Sequence, residues 1–292
     1  MQGTILRGIG GFYTAMDDAG ATYTLRAQRK IRRDGMKPKV GDRVEMTPGT
    51  GEEDGWVNSI LPRRNELVRP PVANIDVIVI VVSCAAPEPD LLLADRMILT
   101  ARQRGIEAML AVSKCDLNAD RAREIARQYR GAEVNAICIS SRTGENINAL
   151  RDALRGRIHA LAGQSGAGKS SLINALYRLE LETGDLSAKI ERGKNTTRRC
   201  ELIPLASGGM VLDTPGFSLL DSDLIDPVEL QNYYPEFVPY EGGCYFQPCC
   251  HATEPKCAVL DAVRAGDVDA QRHERYVLLL NEAKQRWRDR YD

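Results

Sequence analysis

Along the first 68 residues, hydrophobic positions come in short runs that alternate with polar ones. Thr4–Ile9, Phe12–Met16, Ala21–Ala27, Arg43–Thr47 and Trp56–Leu61 each read as strands. Turn-forming clusters separate them: Gly10-Gly11, Asp17-Asp18-Ala19-Gly20, Val40-Gly41-Asp42 and Pro48-Gly49-Thr50-Gly51. Five short strands in so little chain predict a small β-barrel of the OB type. Pro70-Pro71 reads as a linker.

From Asn74 the pattern changes to solid apolar runs alternating with helical stretches. Asp76–Ser83, Glu107–Ser113, Val134–Ser140 and Arg157–Ala162 read as buried strands. Leu91–Gly105, Asp120–Tyr129, Ile147–Leu154 and a segment from Lys169 read as helices. Continuous apolar strands separated by helices predict a parallel sheet covered on both faces. After about residue 225 the strand pattern stops, and a Cys/His cluster precedes a mostly helical end. The expected division is an OB-type barrel at 1–68, an α/β domain at 69–224 and a helical domain at 225–292.

Gly163-Gln164-Ser165-Gly166-Ala167-Gly168-Lys169-Ser170 matches the phosphate-loop pattern, between a predicted strand and a helix that continues through Ser171. Its glycines let backbone N–H groups turn inward around phosphate oxygens at a helix N-terminus. Lys169 is placed to reach the β- and γ-phosphates, and the Ser170 hydroxyl to ligate Mg²⁺. Asp213-Thr214-Pro215-Gly216 ends a strand-like run. The Asp213 carboxylate suits a water-mediated contact to Mg²⁺, and the Gly216 N–H a γ-phosphate contact. Between these motifs lie Thr196 and Thr197. One of the two hydroxyls could complete the Mg²⁺ shell when a γ-phosphate is present.

Ser113-Lys114-Cys115-Asp116 ends the second strand and resembles the Asn-Lys-x-Asp guanine motif. A carboxylate at Asp116 accepts from guanine N1–H and the N2 amino group together, an arrangement adenine cannot supply. Ser113 stands where Asn is usual and is expected to lose the amide that ties loops together. Ser140-Ser141-Arg142 follows the third strand and resembles the motif behind guanine O6. The base motifs thus precede the phosphate loop, the reverse of the conventional GTPase order, so the GTPase motifs are circularly permuted. Further on, Cys244, Cys249, His251 and Cys257 supply three thiolates and an imidazole, a donor set suited to one closed structural Zn²⁺ site. Cys250, squeezed between other members of the cluster, is the poorer candidate.

Composition narrows the class. The 292 residues carry 39 Lys+Arg against 40 Asp+Glu, which excludes a uniformly cationic coat but not a local patch. Residues 1–70 hold 12 basic and 9 acidic side chains, and 225–292 hold 8 and 12. The densest basic stretch comprises Arg26, Arg29, Lys30, Arg32, Arg33, Lys37 and Lys39, with Asp34 its one acid. It reads either as a solvated loop or as a contact surface for an RNA phosphate backbone. The longest apolar run, Val77–Val82, is far below the ~20 residues of a membrane span, so no membrane partner is expected. No signal peptide is visible at the N-terminus, and the expected compartment is the cytoplasm. Cys84, Cys115, Cys138 and Cys200 sit among apolar neighbours and read as small buried hydrophobes.

Taken together, these motifs resemble the ribosome small-subunit-dependent GTPase A family. The similarity also takes in Gly3-Thr4-Ile5, Gly11-Phe12-Tyr13, Val40-Gly41-Asp42-Arg43-Val44, Arg69-Pro70 and the terminal Cys244…Cys257-Ala258-Val259. The resemblance implies a monomer that binds GTP/GDP, the 30S subunit and its 16S rRNA. It further implies GTP hydrolysis stimulated by the subunit during late 30S maturation. Phe217 stands where small GTPases carry a water-orienting Gln, and no His lies between Gly216 and Cys244. Intrinsic hydrolysis is therefore expected to be slow until a ribosomal partner orders the missing group. Two other readings are an RNA-binding scaffold whose nucleotide only tunes docking, and a phosphate-loop ATPase or kinase.

Overall fold

A computed structural model describes residues 1–28, 30–31, 36–50, 53–181, 200–213 and 223–291. Strands β1 (Gln2–Ile9), β2 (Phe12–Asp17), β3 (Thr22–Ala27), β4 (Arg43–Thr47) and β5 (Gly55–Ile60) close into a barrel. Their order is β1-β2-β3-β5-β4, with β1 returning to β4. Every contact is antiparallel except β3 against β5. The two-residue alternation decides which side chains fill the barrel. Ile5, Ala15, Leu25, Val44, Met46 and Val57 form its core. Thr22, Thr24, Arg26 and Trp56 face out.

The expected linker is instead a packed hairpin. Strands β6 (Glu66–Leu67) and β7 (Val72–Ala73) pair across Pro70-Pro71. Val72 and Ala73 are fully buried. Leu6, Val40, Leu67, Val72 and Ile75 share one apolar cluster with Ile78, Ile80 and Val82 of the following sheet. Arg63 binds both oxygens of the buried Asp42 at 2.7 and 2.9 Å and Glu66 at 2.6 Å. Asn74 donates to the Gly41 carbonyl at 2.9 Å. Barrel and sheet therefore meet through a continuous core rather than a hinge.

The central domain runs β8 (Val77–Ser83), α1 (Leu91–Gln103), β9 (Glu107–Ser113), α2 (Ala119–Gln128), β10 (Asn135–Cys138) and α3 (Ile147–Leu154). It continues with β11 (Ile158–Ala162), α4 (Lys169–Leu181), β12 (Glu201–Pro204) and β13 (Met210–Asp213). The sheet order is β10-β9-β8-β11-β13-β12. All contacts are parallel except the edge pair β12–β13. β12, four residues ending in Pro204, carries too little periodicity to be read from sequence. Every residue of β8 is buried, because helices cover both faces. Ile78 and Ile80 meet Met97 and Ile98 on one side; Val79 and Val81 meet Leu150 and Leu172 on the other.

The C-terminal region has two short 3₁₀ turns, Leu230–Tyr233 and Pro235–Tyr240, then α5 (Ala258–Ala265) and α6 (Ala270–Arg288). Its core gathers Leu230, Tyr234, Phe237, Val259, Tyr276 and Leu280, with Leu99 of α1 reaching in. A buried ion network joins α6 to the central domain. Arg272 binds Asp95 at 2.6 Å and also Glu236, and Arg275 binds the other Asp95 oxygen. Among the described residues no helix is long and apolar enough to cross a membrane.

Candidate functional site

Parallel strands put their carboxyl ends on one edge, and the functional motifs follow those ends. β8 and β11 are neighbours in the sheet although the chain passes through β9 and β10 between them. The chain thus reverses its winding at β8–β11, and the phosphate loop leaves β11 at that crevice. Gly163 has φ 136°, and a Cβ there would collide with the Val81 carbonyl. Only glycine lets the loop begin its turn so close to β8. Gly166 and Gly168 also have positive φ, at 77° and 99°. The loop closes on the N-terminus of α4, whose first residue is Lys169.

Lys169 Nζ donates to the Gly163 and Gln164 carbonyls at 2.6 and 2.8 Å. Burial pushes its ammonium below the usual lysine range, so an anion in the loop would be a welcome partner. The Gln164 amide braces the loop, accepting from Asp90 N–H at 2.7 Å and donating to the Glu88 carbonyl at 2.9 Å. Ser165, Ser170 and Ser171 are exposed, whereas Ala167 is buried. Asp213 ends β13, one strand from the loop. Desolvation and the Glu201 carboxylate push its carboxyl above the ordinary value. A cation beside it would relieve that cost. Thr196, Thr197, Gly216 and Phe217 lie outside the described residues.

The base motifs sit at the ends of β9 and β10. Ser113 does not lose its structural tie: its buried Oγ donates to the Ala167 carbonyl at 2.6 Å. A short hydroxyl reaches the loop because Ser113 and Ala167 approach closely. Lys114, at φ 62°, lays its ammonium on the Gly166 carbonyl at 2.9 Å and on that of Ala86. Base motif and phosphate loop are therefore stitched by two side chains. Cys115 points inward and is 3% exposed, and burial pushes its thiol up to about 12. It contributes backbone and apolar packing, not a titrating group.

The Asp116 side chain is 10% exposed. A hydrogen bond from Ser140, then the Arg142 guanidinium, hold its carboxyl below the usual carboxylate range. Arg142 approaches Asp116 Oδ2 at 2.9 Å through Nε and 2.8 Å through Nη2. Ser140, fully buried, also accepts from Thr143 N–H at 3.1 Å, while Ser141 is half-buried. An ionised acceptor is thus aimed at the edge where a base would lie. Arg142 fills the variable third position of the Ser140-Ser141-Arg142 motif, and its pairing with Asp116 is visible only in the fold.

The predicted metal ligands converge. Donor atoms of Cys244, Cys249, His251 and Cys257 lie within 4.8 Å of one another, and all four residues are buried. Cys244 Sγ is 3.6 Å from His251 Nδ1 and 3.7 Å from Cys257 Sγ, and His251 Nδ1 is 3.3 Å from Cys257 Sγ. Tetrahedral zinc bonds of about 2.0–2.3 Å place ligand atoms roughly 3.3–3.8 Å apart, which these three distances fit. Burial pushes the Cys249 thiol up to about 12, and a cation would favour its thiolate. His251 Nε2–H donates to Gln231 Oε1 at 2.5 Å, which leaves Nδ1 as the ligand atom. Glu254 accepts from Cys250, Ala252 and Thr253 N–H groups at 2.7–3.0 Å and shapes the loop. Glu254 belongs to the Glu254-Pro255-x-Cys257 stretch that carries the family resemblance, whereas Gln231 has no sequence signature and is an ordinary polar residue until the fold brings it in. Cys250 stays out of the cluster, its carbonyl accepting from Tyr276 OH at 2.7 Å.

On the barrel, Lys30 and Lys37 are exposed. Arg26 pairs with Asp54 at 2.8 Å, and Lys39 with Glu66 at 3.0 Å. The Lys39 side chain is 22% exposed and helps hold the hairpin, so its charge is already engaged. Arg29, Arg32 and Arg33 lie outside the described residues.

A phosphate-loop motif after β11 and a guanine-type motif after β9, in a chain that reaches β9 first, define a circularly permuted GTPase. Residues 60–223 match the RsgA GTPase family and residues 2–57 the RsgA N-terminal domain. The chain belongs to the RsgA GTPase family. It is 42% identical over 293 residues to the small ribosomal subunit biogenesis GTPase RsgA of Caldanaerobacter subterraneus, covering 100% of this chain and 98% of that one. The protein of the same name from Geobacillus thermodenitrificans is 42% identical, covering 98% of each. Among solved structures, YjeQ from Thermotoga maritima superposes with a TM-score of 0.83 at 32% identity, covering 97% of this chain and 98% of that one. YloQ, described as a circularly permuted GTPase, gives 0.81 at 31% identity, covering 98% and 95%.

Proposed function

We propose that this GTPase binds the small ribosomal subunit and that hydrolysis times its release late in subunit maturation. The observation that carries the reading is the stitching of Ser113 and Lys114 to the phosphate loop, which sets Asp116 at a fixed distance from Lys169. A nucleotide bridging the two would be held by base and phosphate at once. Relatives that match nearly the whole chain are named for small ribosomal subunit biogenesis, and that supplies the partner.

In this reading Asp116 accepts from guanine N1–H and the N2 amine, with Ser140 and Ser141 behind O6. Ser113, Lys114 and Cys115 carry the base loop. Gly163 to Ser171 wrap the phosphates, and Lys169 neutralises charge that grows on the β–γ bridge during transfer. Ser170 and Asp213 would hold Mg²⁺, with Thr196 or Thr197 added when the γ-phosphate is present and Gly216 sensing it. Bound Mg²⁺ would draw charge from the β- and γ-phosphate oxygens. With Phe217 unable to orient water, the subunit supplies or orders the group that does. Cys244, Cys249, His251 and Cys257 would hold one structural Zn²⁺. The working unit is a cytoplasmic monomer of three parts, 1–68, 69–224 and 225–292. Its barrel meets 16S rRNA through residues of the Arg26–Lys39 stretch.

The test is GTP hydrolysis by purified protein with and without 30S subunits. Strong stimulation supports the reading; an equal rate in both overturns the subunit's role. Nucleotide affinity checks the base assignment: GDP should bind far more tightly than ADP. Asp116→Asn should shift preference toward xanthosine nucleotides, whose O2 replaces the amino donor. Equal ADP and GDP affinity would remove the role given to Asp116.

A further inference from the structure

The outer face of the barrel carries a row of side chains that none of the GTPase machinery uses. Strand register places Phe12 opposite Arg26, Arg26 opposite Trp56, and Trp56 opposite Thr47. Ile9 of β1 lies opposite Phe12, so one row crosses β1, β2, β3, β5 and β4. Phe12 is 41% and Trp56 46% exposed, although large aromatic side chains usually bury most of their area. The Arg26 guanidinium lies 4.5 Å from the Phe12 ring centroid and is held from the far side by Asp54 at 2.8 Å. Strands about 4.8 Å apart put the Phe12 and Trp56 backbones roughly 10 Å apart, with the guanidinium between.

Beside the rings runs a hydrogen-bonded polar chain. Gln28 donates to Asn58 at 2.9 Å, and Asn58 donates to Thr47 at 2.9 Å. The row is thus two separated π faces, one flat cation and a set of amide groups. At one end Ile9, 42% exposed, lies beside Phe12, and the Arg26 guanidinium separates this apolar pair from Trp56, so the two rings are not joined by apolar surface. Stacking on isolated ring and guanidinium faces is how proteins hold unpaired bases, and the amides suit base edges. The barrel's net positive charge, with Lys30 exposed just past the end of β3, matches a phosphate backbone alongside.

We infer that Phe12, Arg26 and Trp56 form a stacking platform for unpaired RNA nucleotides. This rests on the reading that the barrel meets rRNA, and it adds the class of RNA: single-stranded or flipped-out bases, not duplex. The basic stretch would then steer and neutralise, while the ring row selects unpaired bases.

The chain has two tryptophans, so Trp287→Phe leaves Trp56 as the one emitter. A uridine 12-mer is titrated into this full-length protein, with an RNA duplex and heparin as charge-matched controls. The expected result is saturable quenching of Trp56 by the 12-mer and none by heparin. Read by the anisotropy of a fluorescein-labelled 12-mer, which needs no tryptophan, Phe12→Ala and Trp56→Ala should each weaken binding by about 5- to 100-fold. Trp56→Phe, which keeps a ring, should stay near wild type and exclude misfolding as the cause. Unchanged binding in both alanine variants overturns the platform, as does duplex bound as tightly as the 12-mer. Loss of 30S binding by Trp56→Ala with no 12-mer binding by wild type also overturns it, and assigns the face to a ribosomal protein. If 30S subunits still stimulate the alanine variants as they do wild type, the platform alone fails. If wild type itself is not stimulated, it is the subunit reading that fails.

Discussion

Ser113 Oγ donates a 2.6 Å hydrogen bond to the Ala167 carbonyl, joining the guanine motif to the phosphate loop across 54 residues of chain. Both residues are buried. Removing the hydroxyl leaves a buried carbonyl without its donor, which costs about 1–3 kcal/mol. Ser113→Ala should therefore weaken GDP binding by roughly tenfold or more, read with a fluescent-labelled GDP analogue. Ser113→Thr, which keeps the donor, should stay close to wild type. Equal affinity in Ser113→Ala would show that the bond does not position the loop.

Gln231 fixes the tautomer of His251 from outside the metal cluster. Partners of ligating histidines are worth about 10- to 100-fold in metal affinity. Gln231→Ala should lose zinc to a chelator at correspondingly lower chelator concentration, with the 3Cys–His set intact. Cys257→Ala, which removes a ligand outright, should lose the metal and unfold the 241–257 region.

Asp95 has no exposed side-chain surface and receives two arginines, Arg272 and Arg275. Removing one member of such a buried network strands the opposite charge, at a cost of about 3–5 kcal/mol. Asp95→Ala should lower the denaturation midpoint strongly. It should also expose α6 to proteolysis before the central sheet unfolds. A midpoint within measurement error of wild type would show that the network is not what fastens α6 to α1.

His159 lies on β11 just before the phosphate loop and is fully buried. Its Nδ1–H donates to the Arg157 carbonyl at 3.1 Å, and Nε2 accepts from Tyr177 OH on α4. Burial pushes the imidazole down to about 4 from an ordinary 6.5. The unfolded chain therefore takes up this proton first as pH falls. The stability due to the neutral ring is complete above pH 6.5 and is lost progressively toward pH 4. At pH 5 the loss is about 2 kcal/mol. Urea denaturation at pH 7.5 and 5 should show a steeper fall for wild type than for His159→Gln, which cannot ionise. Parallel slopes would refute the burial argument.

Much of the site was legible in the chain because its chemistry is local. Gly163, Gly166, Gly168 and Lys169 must sit at fixed spacing to form one loop. Cys244, Cys249, His251 and Cys257 lie close enough in sequence for their donor atoms to gather within 4.8 Å. The alternation in the first 68 residues and the solid apolar runs after Asn74 likewise specified a barrel followed by a parallel sheet, since periods of two and buried strands are backbone properties. The order of the motifs disclosed the permutation without any coordinates.

Tertiary structure alone decided which distant groups meet. Pro70-Pro71 looks like a linker in sequence, yet pairing of β6 with β7 buries Val72 and Ala73 and turns it into part of the barrel–sheet seam. Ser113 was expected to lose a tie that it in fact makes, because the reach needed depends on how closely β9 approaches the phosphate loop. Gln231 on His251 and Arg272 on Asp95 span 20 and 177 residues. Polar side chains like these have many possible partners along the chain, and only packing selects one. The row of Phe12, Arg26 and Trp56 has the same origin. Strand register sets three unrelated positions side by side, and no local pattern could announce it.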